Sequence, residues 1–185
     1  MKLMNLDEIQ KGLDEEFLPL EPILEGFRLK EPGLESDILD KLAVRISVLF
    51  PSDFRQIISK YDFGNFTIGA IVFCATGDYV EEIVECNESV TWWGKGLKPA
   101  NLIMIANSDP YAIILDVNSG EVLTIDPEFG ASKAITVASS FDAFIRGIGS
   151  IFLLRNNSDN KEALAEFVKN AVGSHDKNFW SFLAN

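Results

Sequence analysis

Residues 98–154 read KPANLIMIANSDPYAIILDVNSGEVLTIDPEFGASKAITVASSFDAFIRGIGSIFLL, and the order of elements along this stretch decides the fold. NLIMIA (Asn101–Ala106) is a short apolar run rich in β-formers, read as a strand. The polar elbow Asn107-Ser108-Asp109-Pro110-Tyr111 interrupts it. AIILDV (Ala112–Val117) and EVLTID (Glu121–Asp126) follow as two more strands, joined across Asn118-Ser119-Gly120, a composition suited to a hairpin loop. Ser139 is then expected to cap a helix, with Asp142 at the capping-box position. Phe141, Phe144, Ile145, Ile148 and Phe152 form the apolar stripe of that helix. Consecutive strands linked by tight turns imply an antiparallel sheet, with helices on one side.

Upstream, Leu6, Ile9, Leu13 and Phe17 fall at three- and four-residue steps, predicting an amphipathic helix ended by Pro19. Pro22, Gly26, Pro32 and Gly33 mark an irregular connector. Ser36 begins a second helix with Ile38, Leu39, Leu42 and Ile46 on its buried face. Pro51 and Ser52-Asp53 start a third, carrying Phe54, Ile57, Ile58 and Tyr61, with Gly64 as its stop. IGAIVFC (Ile68–Cys74) is expected as one buried strand. Residues 78–89 place Val80, Ile83 and Val84 on one helix face and Glu81, Glu82, Glu85 and Glu88 on the other. A last helix from near Asp159 buries Leu164, Phe167 and Val168 and ends by Gly173; Trp180, Phe179 and Phe182 anchor the tail. The class is α+β: one domain with a mainly antiparallel sheet of about four to six strands. It divides into an N-terminal helical extension and connector (1–33), an α+β core (34–155), and a C-terminal helix and tail packed on that core (156–185).

Two blocks, LFPSDFRQIISKYDFGN (Leu49–Asn65) and Lys98–Leu154, occur in an order and at a spacing that resemble the SUKH superfamily. That group includes fungal cell-wall regulators of the SMI/KNR type and many bacterial immunity proteins. The resemblance covers about Phe27 to Leu154. It implies an α+β fold and a role in protein–protein binding without catalysis. Its relatives often carry a polar, acidic, glycine-rich turn where this chain has Ser108-Asp109-Pro110-Tyr111, so a binding role for Asp109 and Tyr111 is not transferred directly.

Composition narrows the partner. With 47% apolar and 24% charged residues the chain is an ordinary globular one. Its net charge is −12, and residues 1–40 alone hold eleven acids against four bases. Such a surface repels phosphate backbones and anionic membranes and attracts basic proteins, so neither nucleic acid nor membrane is expected as a partner. The acidic amphipathic start and the lack of a long apolar run point to a cytoplasmic protein. In that compartment the glycosylation sequons at Asn65, Asn87 and Asn156/Asn157 carry no meaning. Cys74 and Cys86 lie in apolar surroundings without Cys-x-x-Cys spacing, which favours buried thiols over a disulfide or a metal pair.

Catalytic machinery is sparse. His175, the single histidine, lies in the polar segment GSHDKN and reads as an idle surface residue. No nucleophile elbow, phosphate loop or metal-binding helix motif occurs, and neither cofactor nor metal is expected. Glu81, Glu82, Glu85 and Glu88 share one helix face, whereas paired catalytic acids normally face each other across a cleft. A small-molecule hydrolase using Asp109, Asp116 or these glutamates is therefore the weakest reading. The elbow admits two readings, turn chemistry alone or binding. Trp92 and Trp93 are adjacent, so both rings cannot easily enter one core; an outward ring beside Glu85 and Glu88 would make a binding hot spot. The candidate partner-binding residues are Trp92, Trp93, Asp109, Tyr111, Glu85 and Glu88. The expected function is that of an immunity protein masking a basic toxin domain, such as a nuclease, by direct contact. A general regulatory or scaffold module is the alternative. The oligomeric state is left open by the sequence.

Overall fold

The computed structural model describes residues 1–88, 93, 98–126 and 128–185. These form a single α+β domain built on a six-stranded antiparallel meander. Its strands are β1 (Thr67–Ile68), β2 (Ile71–Val72), β3 (Leu102–Ser108), β4 (Tyr111–Asp116), β5 (Val122–Ile125) and β6 (Ile135–Ala138), in that spatial order. Its helices are α1 (Leu6–Phe17), α2 (Ser36–Arg45), α3 (Ser52–Lys60), α4 (Tyr79–Glu88), α5 (Phe141–Leu154), α6 (Lys161–Ala171) and α7 (Lys177–Ala184).

Three local expectations are corrected. The IGAIVFC run is a tight hairpin, not one strand: Ile68 pairs with Ile71 around Gly69-Ala70. Gly69 takes φ +57°, the positive value a two-residue hairpin loop needs at its first position. The cap of α5 is Ser140, whose Oγ accepts from the Ala143 N–H at 3.1 Å. Ser139 is diverted because its own N–H is donated to the Val172 carbonyl. α3 ends at Lys60, before Gly64, because Tyr61 turns to extended backbone and buries its ring completely. β6 was not anticipated from the sequence; Ile135 and Thr136 are only partly covered, so its apolar pattern is weak.

The sheet separates two apolar clusters because its side chains alternate between faces. Ile103, Ile113, Leu115 and Val137 face the main core with the helices. Leu102, Met104, Ala112, Ile114 and Ile125 face the other side, where Trp93, Cys86, Ala131 and Ala134 cover them. The sheet is thus covered on both faces: all seven helices contribute to its main-core side, and a small lid of Cys86, Trp93, Ala131 and Ala134 closes the other.

α5 is the central strut. Its buried Gly147 and Gly149 let neighbours approach closely: a Cβ at Gly147 would lie 2.6 Å from the Trp180 ring, and one at Gly149 2.6 Å from Ile9. Ser150 on the same helix accepts the Met4 N–H at 3.0 Å. The N-terminal helix and the C-terminal helix therefore dock on one element. α1 starts with a full capping box, Asn5 accepting from Glu8 N–H and Glu8 from Asn5 N–H.

α4 closes the part of β3 that β2 leaves unpaired. β2 meets β3 only at Val72 and Asn107. Asn87 accepts from Met104 N–H at 2.9 Å and donates to Met104 O at 2.8 Å and to Ile83 O at 2.7 Å. The buried Tyr79 hydroxyl donates to Ile105 O at 2.9 Å. Side chains of a helix thus stand in for a missing strand beside the register shift at Met104/Ala106.

Candidate functional site

The β3–β4 turn places Ser108 opposite Tyr111, with Asp109 and a cis Pro110 at its tip. β5 runs alongside β4, with Ile125 opposite Ala112, which sets Asp126 next to Tyr111 at the same end of the sheet. The result is two adjoining cavities that share Tyr111 and Asp126. The first, about 540 Å³, is bounded by the elbow together with Asp126 and Glu128. The second, about 580 Å³, runs toward β6 and the start of α7 and adds Phe129, Lys133, Ile135 and Asp176.

Tyr111 is the wall between them. Its ring packs edge-on against Phe179 at 5.8 Å and Phe182 at 6.0 Å, both from α7. Burial, and then the nearby Asp176 and Asp126 carboxylates, push its phenol above the usual range. The hydroxyl therefore stays protonated at neutral pH and is a hydrogen-bond donor within an otherwise acidic rim. Phe129 is 63% exposed and Ile135 is also open, giving the second cavity an apolar lip.

Beneath the first cavity, Ser108 is 4% exposed, yet its Oγ has no hydrogen-bond partner among the described residues. Leaving a buried hydroxyl unmatched costs about 1–3 kcal/mol; among the described residues the buried Tyr61 hydroxyl is in the same state, but it borders neither cavity. Asp176, also buried, spends one oxygen capping α7 through the Phe179 N–H at 3.1 Å. Asp126 similarly accepts from the Glu128 N–H at 2.9 Å, which holds the loop after β5 in place.

The sequence candidates do not all converge here. Asp109 and Tyr111 line the first cavity. Glu85 and Glu88 are exposed on α4 and belong to neither cavity. Trp93 is 2% exposed and seals the second cluster under the Lys98 ammonium, 5.7 Å from its ring, and so offers little surface to a partner. Trp92 lies outside the described residues. Glu128, Phe129, Lys133 and Asp176 were not foreseen as site residues. Only Asp176 had a usable signal, as an acid three residues before Phe179 at a helix start.

Other acids have local duties. Asp116 accepts from the N–H groups of Asn118 and Ser119 in the β4–β5 loop. Glu81 makes two hydrogen bonds to Arg45, at 2.6 and 3.2 Å. No group of three or more candidate metal ligands occurs among the described residues, and no described helix is long and apolar enough to cross a membrane. Compared with known proteins, the chain matches no family model and no curated protein. The SUKH likeness therefore rests on the blocks at 49–65 and 98–154 alone.

The two cysteines are free thiols. Burial, with the Glu82 carboxylate beside it, pushes the Cys86 thiol up to about 12. At pH 9 only about one molecule in a thousand then carries a Cys86 thiolate. Alkylation by iodoacetamide at pH 8–9 is expected to be slow for both thiols of the folded protein and to speed up on addition of urea. Rapid labelling of Cys86 without denaturant would contradict this placement.

Proposed function

We propose that the protein binds another protein through the paired acidic cavities around Tyr111, as a SUKH-type immunity protein neutralising a basic toxin domain by direct contact. The observation that carries this reading is the convergence of Asp109, Asp126, Glu128 and Asp176 on one aromatic wall, with Lys133 the only basic residue among the described lining. A net charge of −12 adds long-range attraction for a basic surface. Charge of this kind speeds encounter, while the desolvated Tyr111, Phe129 and Ile135 surface retains the complex. Nuclease toxins suit such a surface because their own substrate is a polyanion.

The test is co-expression with a nuclease-type toxin domain encoded beside this gene, followed by affinity measurement with the purified pair. The native protein is expected to rescue growth. An Asp109→Asn/Asp126→Asn/Glu128→Gln variant is expected to weaken binding at least 30-fold, and the native affinity is expected to fall steeply as salt rises. Unchanged affinity in that variant, with loss in Glu85→Gln/Glu88→Gln, would move the interface to α4. Absence of any bound toxin, with an endogenous protein held by the same cavities, would favour a regulatory module.

A further inference from the structure

We propose that the cavity at the β3–β4 elbow is a receptor for a single guanidinium group, the side chain of an arginine on the partner protein. The inference rests on the docking reading above and adds the chemistry of its central contact. Three carboxylates, those of Asp109, Asp126 and Glu128, border the space, and no basic residue does so among the described lining. An acidic rim alone would serve any cation. What distinguishes this cavity is the buried Ser108 of its lining, whose Oγ has no partner among the described residues.

The number of acceptors decides between the two basic side chains. An ammonium has three donors radiating from one point, and a carboxylate or two satisfies it while it stays hydrated. A guanidinium is planar, carries five donors in a fixed fork, and is weakly hydrated. The elbow presents three carboxylates around one space, with the buried Ser108 hydroxyl beneath it, more acceptors than an ammonium can use. Tyr111 adds an aromatic wall, which a guanidinium stacks on and a hydrated ammonium uses less well. Since Asp126 already accepts one backbone N–H, its second oxygen is the one left for the ligand.

The experiment is a titration of the isotope-labelled protein by nuclear magnetic resonance, with Nα-acetyl-arginine amide as probe. Nα-acetyl-lysine amide and the neutral citrulline analogue are the controls. Saturable shifts confined to residues 107–111, 126 and 128 are expected with arginine, in the millimolar range usual for a single side chain. Lysine should bind several-fold more weakly and citrulline not measurably. Asp126→Asn should lose at least tenfold. Ser108→Ala, which removes a hydroxyl that bonds nothing and so leaves the fold intact, should lose about three- to fivefold. Equal response to lysine and arginine would overturn the proposal, as would shifts spread over the acids of α1 and α4 or indifference to Ser108→Ala. Because the probe needs no partner, saturable arginine binding by a protein that captures no partner in the co-expression test would sink the docking reading while sparing the pocket. A partner bound through the rim acids but insensitive to Ser108→Ala would do the reverse.

Discussion

Trp180→Ala is expected to lower stability by about 3–5 kcal/mol, the usual cost of emptying a large aromatic site in a packed core. For a chain of this length that corresponds to a fall in melting temperature of about 10 °C. Trp180 is fully buried, packs against Phe144 and Phe179, and donates its indole N–H to Val137 O at 3.1 Å. Its ring also fills the space that Gly147 leaves on α5. Truncation therefore removes apolar contact on several sides and orphans a buried carbonyl of β6. Urea unfolding followed by far-ultraviolet circular dichroism checks it. An unfolding free energy within about 0.5 kcal/mol of the native protein's would mean that α7 is an appendage, not part of the core. Because α7 also holds Tyr111 through Phe179, the proposed partner binding at the Tyr111 cavities should weaken together with stability.

The second large effect is expected at Asn87→Ala, about 2–4 kcal/mol. The asparagine is the sole hydrogen-bonding partner that α4 offers Met104, and Met104 is itself buried. Removing it strands one backbone N–H and one carbonyl, each costing about 1–3 kcal/mol, partly relieved if water enters the vacated space. Asn87→Asp separates the two halves of the clamp. The carboxylate still accepts from Met104 N–H, but its other oxygen faces the carbonyls of Met104 and Ile83, which favours the protonated form. The folded pKa of that aspartate is thus raised above its unfolded value. The folded state then binds more protons than the unfolded one between the two values, so stability is retained in acid and lost as pH rises through them. Denaturant midpoints of the native, Ala and Asp proteins at pH 4 and pH 7 test both claims. An aspartate variant whose deficit does not grow between these pH values would refute the role given to the asparagine amide.

Most of the architecture could be read from periodicity. The stripes of α1, α3 and α5, and the β3–β5 meander with its polar interruptions, follow from spacing and turn residues. What escaped was set by contacts distant in sequence. Asn87 had no meaning along the chain beyond a sequon; its role exists only because β2 is too short to cover β3. IGAIVFC has the composition of a strand, and only the positive φ of Gly69 folds it back. The same holds for the site. Asp109 and Tyr111 were identifiable as a polar elbow. Glu128, Phe129 and Lys133 were not, because they reach the elbow through the β5–β6 connection, and β6 shows little alternation. The sequence did not say that Trp93 would be buried.

The edges of the meander bear on how any partner is recognised. At one margin, β1 donates the Thr67 N–H to Gly26 O at 2.7 Å. At the other, the chain leading into α7 runs against β6, with His175 N–H on Thr136 O at 2.9 Å and the Trp180 indole on Val137 O. With main-chain groups at both margins already occupied, zippering a foreign β-segment onto this scaffold would first require prising native chain away. A partner of the kind proposed would accordingly be selected by side-chain shape and charge, with the backbone left as it is.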